Sequence, residues 1–138
     1  MSDAPRLAAT ADVDPAARIG ERTVVWHLAQ VREGAQVGVD CIIGRGAYIG
    51  PGVVLGDRCK VQNHALVYEP AVVEDGAFVG PAVVFTNDLR PRAHVKRGPE
   101  ELLPTLVRRG ATLGAGTIVV CGITVGEHAF VGDRKSVV

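Results

Sequence analysis

The chain holds 138 residues with 15 basic and 15 acidic side chains, and 47% of it is hydrophobic. That length suits one domain around one core and is too short for two domains of ordinary size. Zero formal net charge without a long basic run excludes the electrostatic footprint of a nucleic-acid binder and favours a small neutral or anionic ligand.

The first ten residues contain no apolar run of signal-peptide length, and the longest apolar segment, Thr117–Val125, is far short of a membrane span. The expectation is a cytoplasmic protein without membrane insertion. From Val13 onward an apolar residue recurs at every sixth position through Ile19, Val25, Val31, Val37, Ile43, Ile49, Leu55, Val61, Val67, Val73, Val79 and Phe85. After a break the pattern resumes at Val107, Leu113, Val119, Val125 and Val131. Four residues beyond these positions the side chain is nearly always small, as at Ala17, Thr23, Ala29, Ala35, Cys41, Ala47, Cys59, Ala65, Ala71 and Ala77. Glycine often follows the aliphatic residue, as at Gly38, Gly44 and Gly80, where it is expected to ease a bend of the backbone. A period of six fits neither a helix nor a two-sided strand, but it fits short strands joined by tight corners. Three strands per turn give a coil of 18 residues with the aliphatic column inside. The three cysteines, Cys41, Cys59 and Cys121, have no CxxC spacing and read as reduced, buried thiols.

Phe85 and Val107 are 22 residues apart, which is not a multiple of six, so residues 86–106 are expected to leave the solenoid as a loop. Three prolines, one glycine and several basic residues suit an exposed excursion, and Pro99–Pro104 suggests one helical turn within it. Asn87 and Asp88 open the loop. Asn87 follows Glu69 by 18 residues and should stack one coil above it. The plainer reading of the Asn-Asp pair is an Asx-type turn where the chain leaves the coil.

The segments Ile19–Val31, Val37–Asp57 and Thr112–Gly132 resemble the hexapeptide-repeat acyltransferases. That resemblance spans residues 13–132 and implies an all-β fold, a left-handed parallel β-helix of hexapeptide repeats with one inserted loop, in a single domain over 1–132. Within that superfamily, Val61–Ala93 is similar to the branch that N-acetylates 3-amino sugars carried on UDP or dTDP. The resemblance implies acetyl-CoA as the acyl donor, a nucleotide-linked amino sugar as acceptor, a homotrimer with sites between neighbouring chains, and no metal. It gives Asn87 and Asp88 the task of holding and orienting the amine, with Glu69 beside them. The Gly-rich corner Gly114, Ala115 and Gly116 is the candidate for oxyanion and pantetheine contacts. Asn63, His64 and Arg92 are candidate substrate contacts, His64 with His27 on one face, and Arg92 with Arg90 near a phosphate or carboxylate. His94 lies in the loop, where the O-acetyltransferases of the superfamily carry a basic histidine, but its local pattern differs.

Two other readings stay open: an O-acetyltransferase of a sugar or small alcohol, and a non-catalytic β-helical binding module. A zinc carbonic anhydrase on the same coil needs a close histidine pair that His27, His64, His94 and His128 do not supply. The last six residues, Asp133–Val138, can be encoded by a string matching a common sequencing adapter, and are expected to be an artefactual or truncated tail.

Overall fold

A computed structural model describes residues 2–138. Among them are 20 strands of two residues each, from β1 (Arg6–Leu7) to β20 (Ser136–Val137). They form three parallel sheets of seven, seven and six strands, each strand pairing with the one three further along the chain. Residue i therefore lies beneath residue i+18, as with Ile43 and Val61, or Ile49 and Val67. This is the expected parallel β-helix of hexapeptide repeats. The repeat begins one strand earlier than the sequence periodicity suggested, at the half-exposed Leu7. At the other end Ser136–Val137 pairs in register with Ile118–Val119.

The aliphatic columns are the core: Val25, Ile43, Val61, Val79 and Leu113 line the first sheet, and Val31, Ile49, Val67, Phe85 and Val119 the second, all buried. Each coil contributes one such residue per sheet, and each buried side chain of this kind stabilises the fold by about 1.5–3 kcal/mol. The small column fills the inner corners, where larger groups fit only at a few places such as Val53 and Val83. Of the threonines in that column, Thr23 and Thr117 are satisfied, whereas Thr105 Oγ1 is buried without a hydrogen-bond partner among the described residues. Thr23 Oγ1 donates to the Gly38 carbonyl at 2.7 Å and accepts from the Cys41 N–H at 3.0 Å. Cys41 and Cys59 donate their thiols to the carbonyls of Gly56 and Glu74 at 3.1 and 3.2 Å. The Cys59 thiol is pushed well above its ordinary range by its hydrogen bond with Cys41 and by burial, so it stays a neutral corner filler.

Most glycines after the aliphatic residues, from Gly20 through Gly114, serve space rather than bending. A Cβ on Gly44 would stand 2.6 Å from the Asn63 backbone nitrogen, and one on Gly80 would stand 2.6 Å from the Leu113 carbonyl oxygen, on the next coil. The bend itself falls two residues later, where the backbone adopts positive φ, sometimes at glycine (Gly46, φ 67°) and sometimes not (Asp40, φ 57°).

The three sheets meet at three edges. The first edge joins sheet one to sheet two and carries Trp26, Arg45, Asn63 and Gly114–Gly116. The second joins sheet two to sheet three and carries Gly50, Glu69 and Asn87. The third returns to sheet one with Arg22, Asp40, Asp57 and Asp75. Truncating Ile43 to Ala should lower unfolding free energy in urea by about 2–5 kcal/mol, whereas Lys60→Ala, facing outward on the same sheet, should change it by less than about 0.5 kcal/mol. Equal effects of the two would contradict the assignment of the column to the core.

Candidate functional site at the second edge

The loop leaves the solenoid after Val84–Phe85 and rejoins it at Leu106–Val107. Its two ends are stitched together at the second edge. The Leu103 N–H donates to the Asn87 carbonyl at 2.9 Å, the Gly122 N–H to the Pro104 carbonyl at 2.8 Å, and the Cys121 N–H to Thr86 Oγ1 at 3.1 Å. Between these ends runs an exposed excursion with a single 3-10 turn at Pro99–Glu101. The stem fixes Asn87 and Asp88 against the coil below, while the tip of the loop projects.

Asn87 does stack over Glu69: its Nδ2 donates to the Glu69 carbonyl at 2.9 Å. The Glu69 side chain follows a rule visible at other corners. Asp57, Asn63, Asp75 and Asp133 each lay a side-chain oxygen over a glycine one coil below and accept the N–H of the residue after that glycine, at 2.8–3.0 Å. Glu69 likewise lays Oε1 over Gly50, but the next residue is Pro51, which has no N–H. Among the described residues Oε1 of Glu69 is consequently buried without a hydrogen-bond partner. A buried carboxylate oxygen in that state has a strong demand for a donor.

Asp88 is occupied differently. Its Oδ1 accepts the Arg90 N–H at 2.9 Å, closing an Asx turn, and its Oδ2 accepts from Arg97 Nε at 3.2 Å. Arg97 also donates to the Arg90 carbonyl at 3.1 Å and reaches Glu101 at 3.5 Å. With both oxygens taken by the loop, Asp88 shapes the loop and presents no free carboxylate. Arg97 is thus a residue that sequence reasoning missed, since nothing in the basic run separates it from Arg90, Arg92 or Lys96. On one side of this latch, Pro51, Glu69, Pro70, Arg97, Pro99 and Leu102 line a cavity of about 400 Å³. On the other, Tyr68, Val84, Thr86, Asn87, Asp88 and Pro91 line one of about 250 Å³. Tyr68 packs against Tyr48 with ring centroids 5.1 Å apart, and the Tyr48 hydroxyl accepts from Arg32 at 3.0 Å.

The remaining sequence candidates lie elsewhere. Asn63, His64 and Gly114–Gly116 belong to the first edge, at the opposite margin of sheet two from Glu69 and Asn87. Within one chain the structure does not bring the two groups together. The three N–H groups of Gly114, Ala115 and Gly116 are already donated to the Val131 carbonyl, Asp133 Oδ1 and the Pro81 carbonyl at 2.8–3.0 Å, which leaves none free for an oxyanion in this arrangement. Asn63 Oδ1 accepts the Arg45 N–H at 2.9 Å, and the His64 ring stacks over Gly46. His27 shares the first edge with His64, as the spacing suggested. Arg92 and His94 are exposed on the loop, with Arg92 donating to the Pro91 carbonyl at 3.1 Å. No group of three metal-ligating side chains converges among the described residues, and none of their helices is long and apolar enough to cross a membrane.

Residues 40–69, ending at Glu69, match the family described as bacterial transferase hexapeptide (six repeats). No curated protein matches the chain. Among solved structures, the acetyltransferase domain of PglB from Neisseria gonorrhoeae FA1090 superposes with a TM-score of 0.78 at 20% identity, covering 96% of this chain and 56% of that one. A variant of GDP-perosamine N-acetyl transferase from Caulobacter crescentus, in complex with CoA and GDP-perosamine, does so with a TM-score of 0.63 at 23% identity, covering 99% and 53%. WeeI from Acinetobacter baumannii AYE gives 0.65 at 19% identity, covering 88% and 50%. The chain spans about half the length of these structures, and the likeness establishes the shared β-helical fold.

Arg97→Ala should release Asp88 and loosen the loop. Limited proteolysis between residues 88 and 102 should accelerate several-fold, while unfolding free energy falls by no more than about 1 kcal/mol because the pair is partly exposed. Unchanged cleavage would show that the stem alone holds the loop.

Proposed function

We propose that the chain is an acyltransferase that moves an acetyl group from acetyl-CoA to the 3-amino group of a UDP- or dTDP-linked sugar. The observation that carries this reading is the carboxylate oxygen of Glu69, buried without a partner among the described residues, on a residue that lines the cavity under the loop and whose carbonyl accepts from Asn87. An amine is the acceptor group that such an oxygen recognises best, since it offers N–H donors and, when protonated, a compensating charge. The resemblance of Val61–Ala93 to the 3-amino-sugar branch supports the same choice, as does the likeness to acetyltransferases of which one is in complex with CoA and GDP-perosamine.

The thioester supplies an activated acetyl carbonyl. The amine lone pair forms the new C–N bond, the C–S bond breaks, and the departing thiolate takes the proton that nitrogen loses. Glu69 holds the amine, Asn87 orients it, and the Asp88–Arg97 latch keeps the loop in place. The outward face of sheet two beside the loop, with Leu66, Val84 and Ile118, is apolar and suits the narrow arm of the acyl donor. The first and second edges lie at opposite margins of that sheet, so a homotrimer would bring Gly114–Gly116 of one copy towards the loop of the next. Both substrates are metabolites of the cytoplasm, and the reading places the protein there.

The test is release of free CoA and gain of one acetyl group in mass with a panel of UDP- and dTDP-linked 3-amino sugars. Glu69→Gln and Asn87→Ala should each lower kcat/KM by about 10–100-fold, the loss expected for a hydrogen bond to a charged group. Turnover that persists in both variants, or no turnover with any amino sugar, would overturn the proposal.

A further inference from the structure

The first edge differs from the other two in its electrostatics. Elsewhere most arginines face carboxylates: Arg22 with Asp40, Arg32 with Glu33, Arg58 with Asp75, Arg97 with Asp88, Arg108 with Glu74, and Arg109 with Glu127. At the first edge the corner residues from Ala8 through Gly116 include no Asp or Glu, and the Arg45 guanidinium has no ion-pair or hydrogen-bond partner among the described residues. Trp26, the only tryptophan, is 46% exposed one coil below Arg45. Together Trp26, His27, Arg45 and Asn63 line a cavity of about 320 Å³, within the range of small-molecule sites. Trp26 and His27 also border a second cavity of about 210 Å³ that includes Arg6.

The polar groups of this edge are ordered by the fold. His27 Nδ1 lies 2.7 Å from Thr10 Oγ1, which already accepts the Leu28 N–H at 3.1 Å. Donation of the Thr10 hydroxyl proton to Nδ1 leaves Nε2 of the neutral ring to carry the N–H. Asn63 uses its Oδ1 on the Arg45 backbone, so its amide nitrogen remains a donor. An exposed indole face, a free guanidinium, an imidazole N–H and an amide N–H in one cavity suit a flat heteroaromatic ring joined to an anion.

We infer that the first edge is a nucleotide-binding site, with Trp26 stacking on the base and Arg45 and His27 facing the phosphate. This deepens the proposed function and rests on it for the source of the nucleotide, which is either the nucleoside diphosphate of the acceptor or the phosphorylated adenosine of the acyl donor. The binding chemistry is set by the edge itself.

The single tryptophan makes the test direct. Its fluorescence is titrated with UDP, with dTDP and, separately, with adenosine 3′,5′-bisphosphate, in the wild type and in Arg45→Glu, whose fold is checked by circular dichroism. Saturable quenching is expected, with Kd rising by about tenfold or more in the variant and rising with salt in the wild type. The salt series carries the inference without the variant should Arg45→Glu fail to fold. Quenching by the pyrimidine nucleotides assigns the site to the acceptor, and quenching by the bisphosphate to the donor. No quenching by any of them, or a Kd indifferent to both salt and Arg45, would overturn the site. So would an emission shift that follows protein concentration alone, which would give the edge to a second copy. Nucleotide binding without acetyl transfer would leave this site standing and the proposed activity fallen; transfer with unquenched Trp26 would do the reverse.

Discussion

The rest of the molecule depends on one interaction: the hydrogen bond between an N–H of one coil and a carbonyl of its neighbour, directed to the coil above in Gly44 to Val61 at 2.7 Å and Tyr48 to Ala65 at 2.9 Å, and to the coil below in His64 to Arg45 at 2.8 Å. It sets successive coils at strand spacing, about 4.8 Å, and forces residues 18 apart to share an environment. An inward position must be apolar in every coil because it is buried on all sides by its own equivalents. A glycine such as Gly80 is required where the next coil's backbone passes too close for a Cβ.

The proposed function is placed where that regularity lacks a partner. At four corners, those of Asp57, Asn63, Asp75 and Asp133, a carboxylate or amide closes the pattern by accepting the N–H beneath it, so the side chain is spent on stability. Pro51 removes that donor below Glu69, and the inserted loop covers the place. The result is a polar atom held rigidly by the scaffold with its hydrogen-bonding capacity unused, which is what a binding group needs. The same logic distinguishes the neighbours of Glu69. Asn87 is held by its stacking contact, Asp88 is consumed by the turn and by Arg97, and the corner N–H groups of Gly114–Gly116 are consumed by the ladder.

Much of this was legible in the sequence. The sixfold spacing of Val13 to Phe85 gave the coil, the small column gave its inner corners, and the 22-residue interval before Val107 gave the loop. The stacking of Asn87 over Glu69 followed from counting 18. The same count also separates Asn63 from Glu69, since the two lie six apart and so at different corners, and the candidate site divides between two edges for that reason. Other features depend on side-chain partners that spacing does not reveal. Arg97 is one of several basic loop residues until its bonds to Asp88 and the Arg90 carbonyl are seen. The glycines after the aliphatics read as conformational aids, but their φ is ordinary and the crowding comes from the coil above. Pro51 was an available signal, an N–H missing one coil below a glutamate, and it has meaning only once the corner rule of Asp57, Asn63, Asp75 and Asp133 is known.

The central claim is that acetyl transfer takes place at the second edge, against Glu69 and Asn87. The most direct measurement is a crystal structure of the protein with CoA and a nucleotide-linked 3-amino sugar bound together. The account predicts the CoA sulfur and the sugar amine side by side at the mouth of the cavity under the loop, with the amine hydrogen-bonded to Glu69 Oε1. A sulfur and amine that meet at another edge, with Glu69 Oε1 still unpartnered, would contradict it.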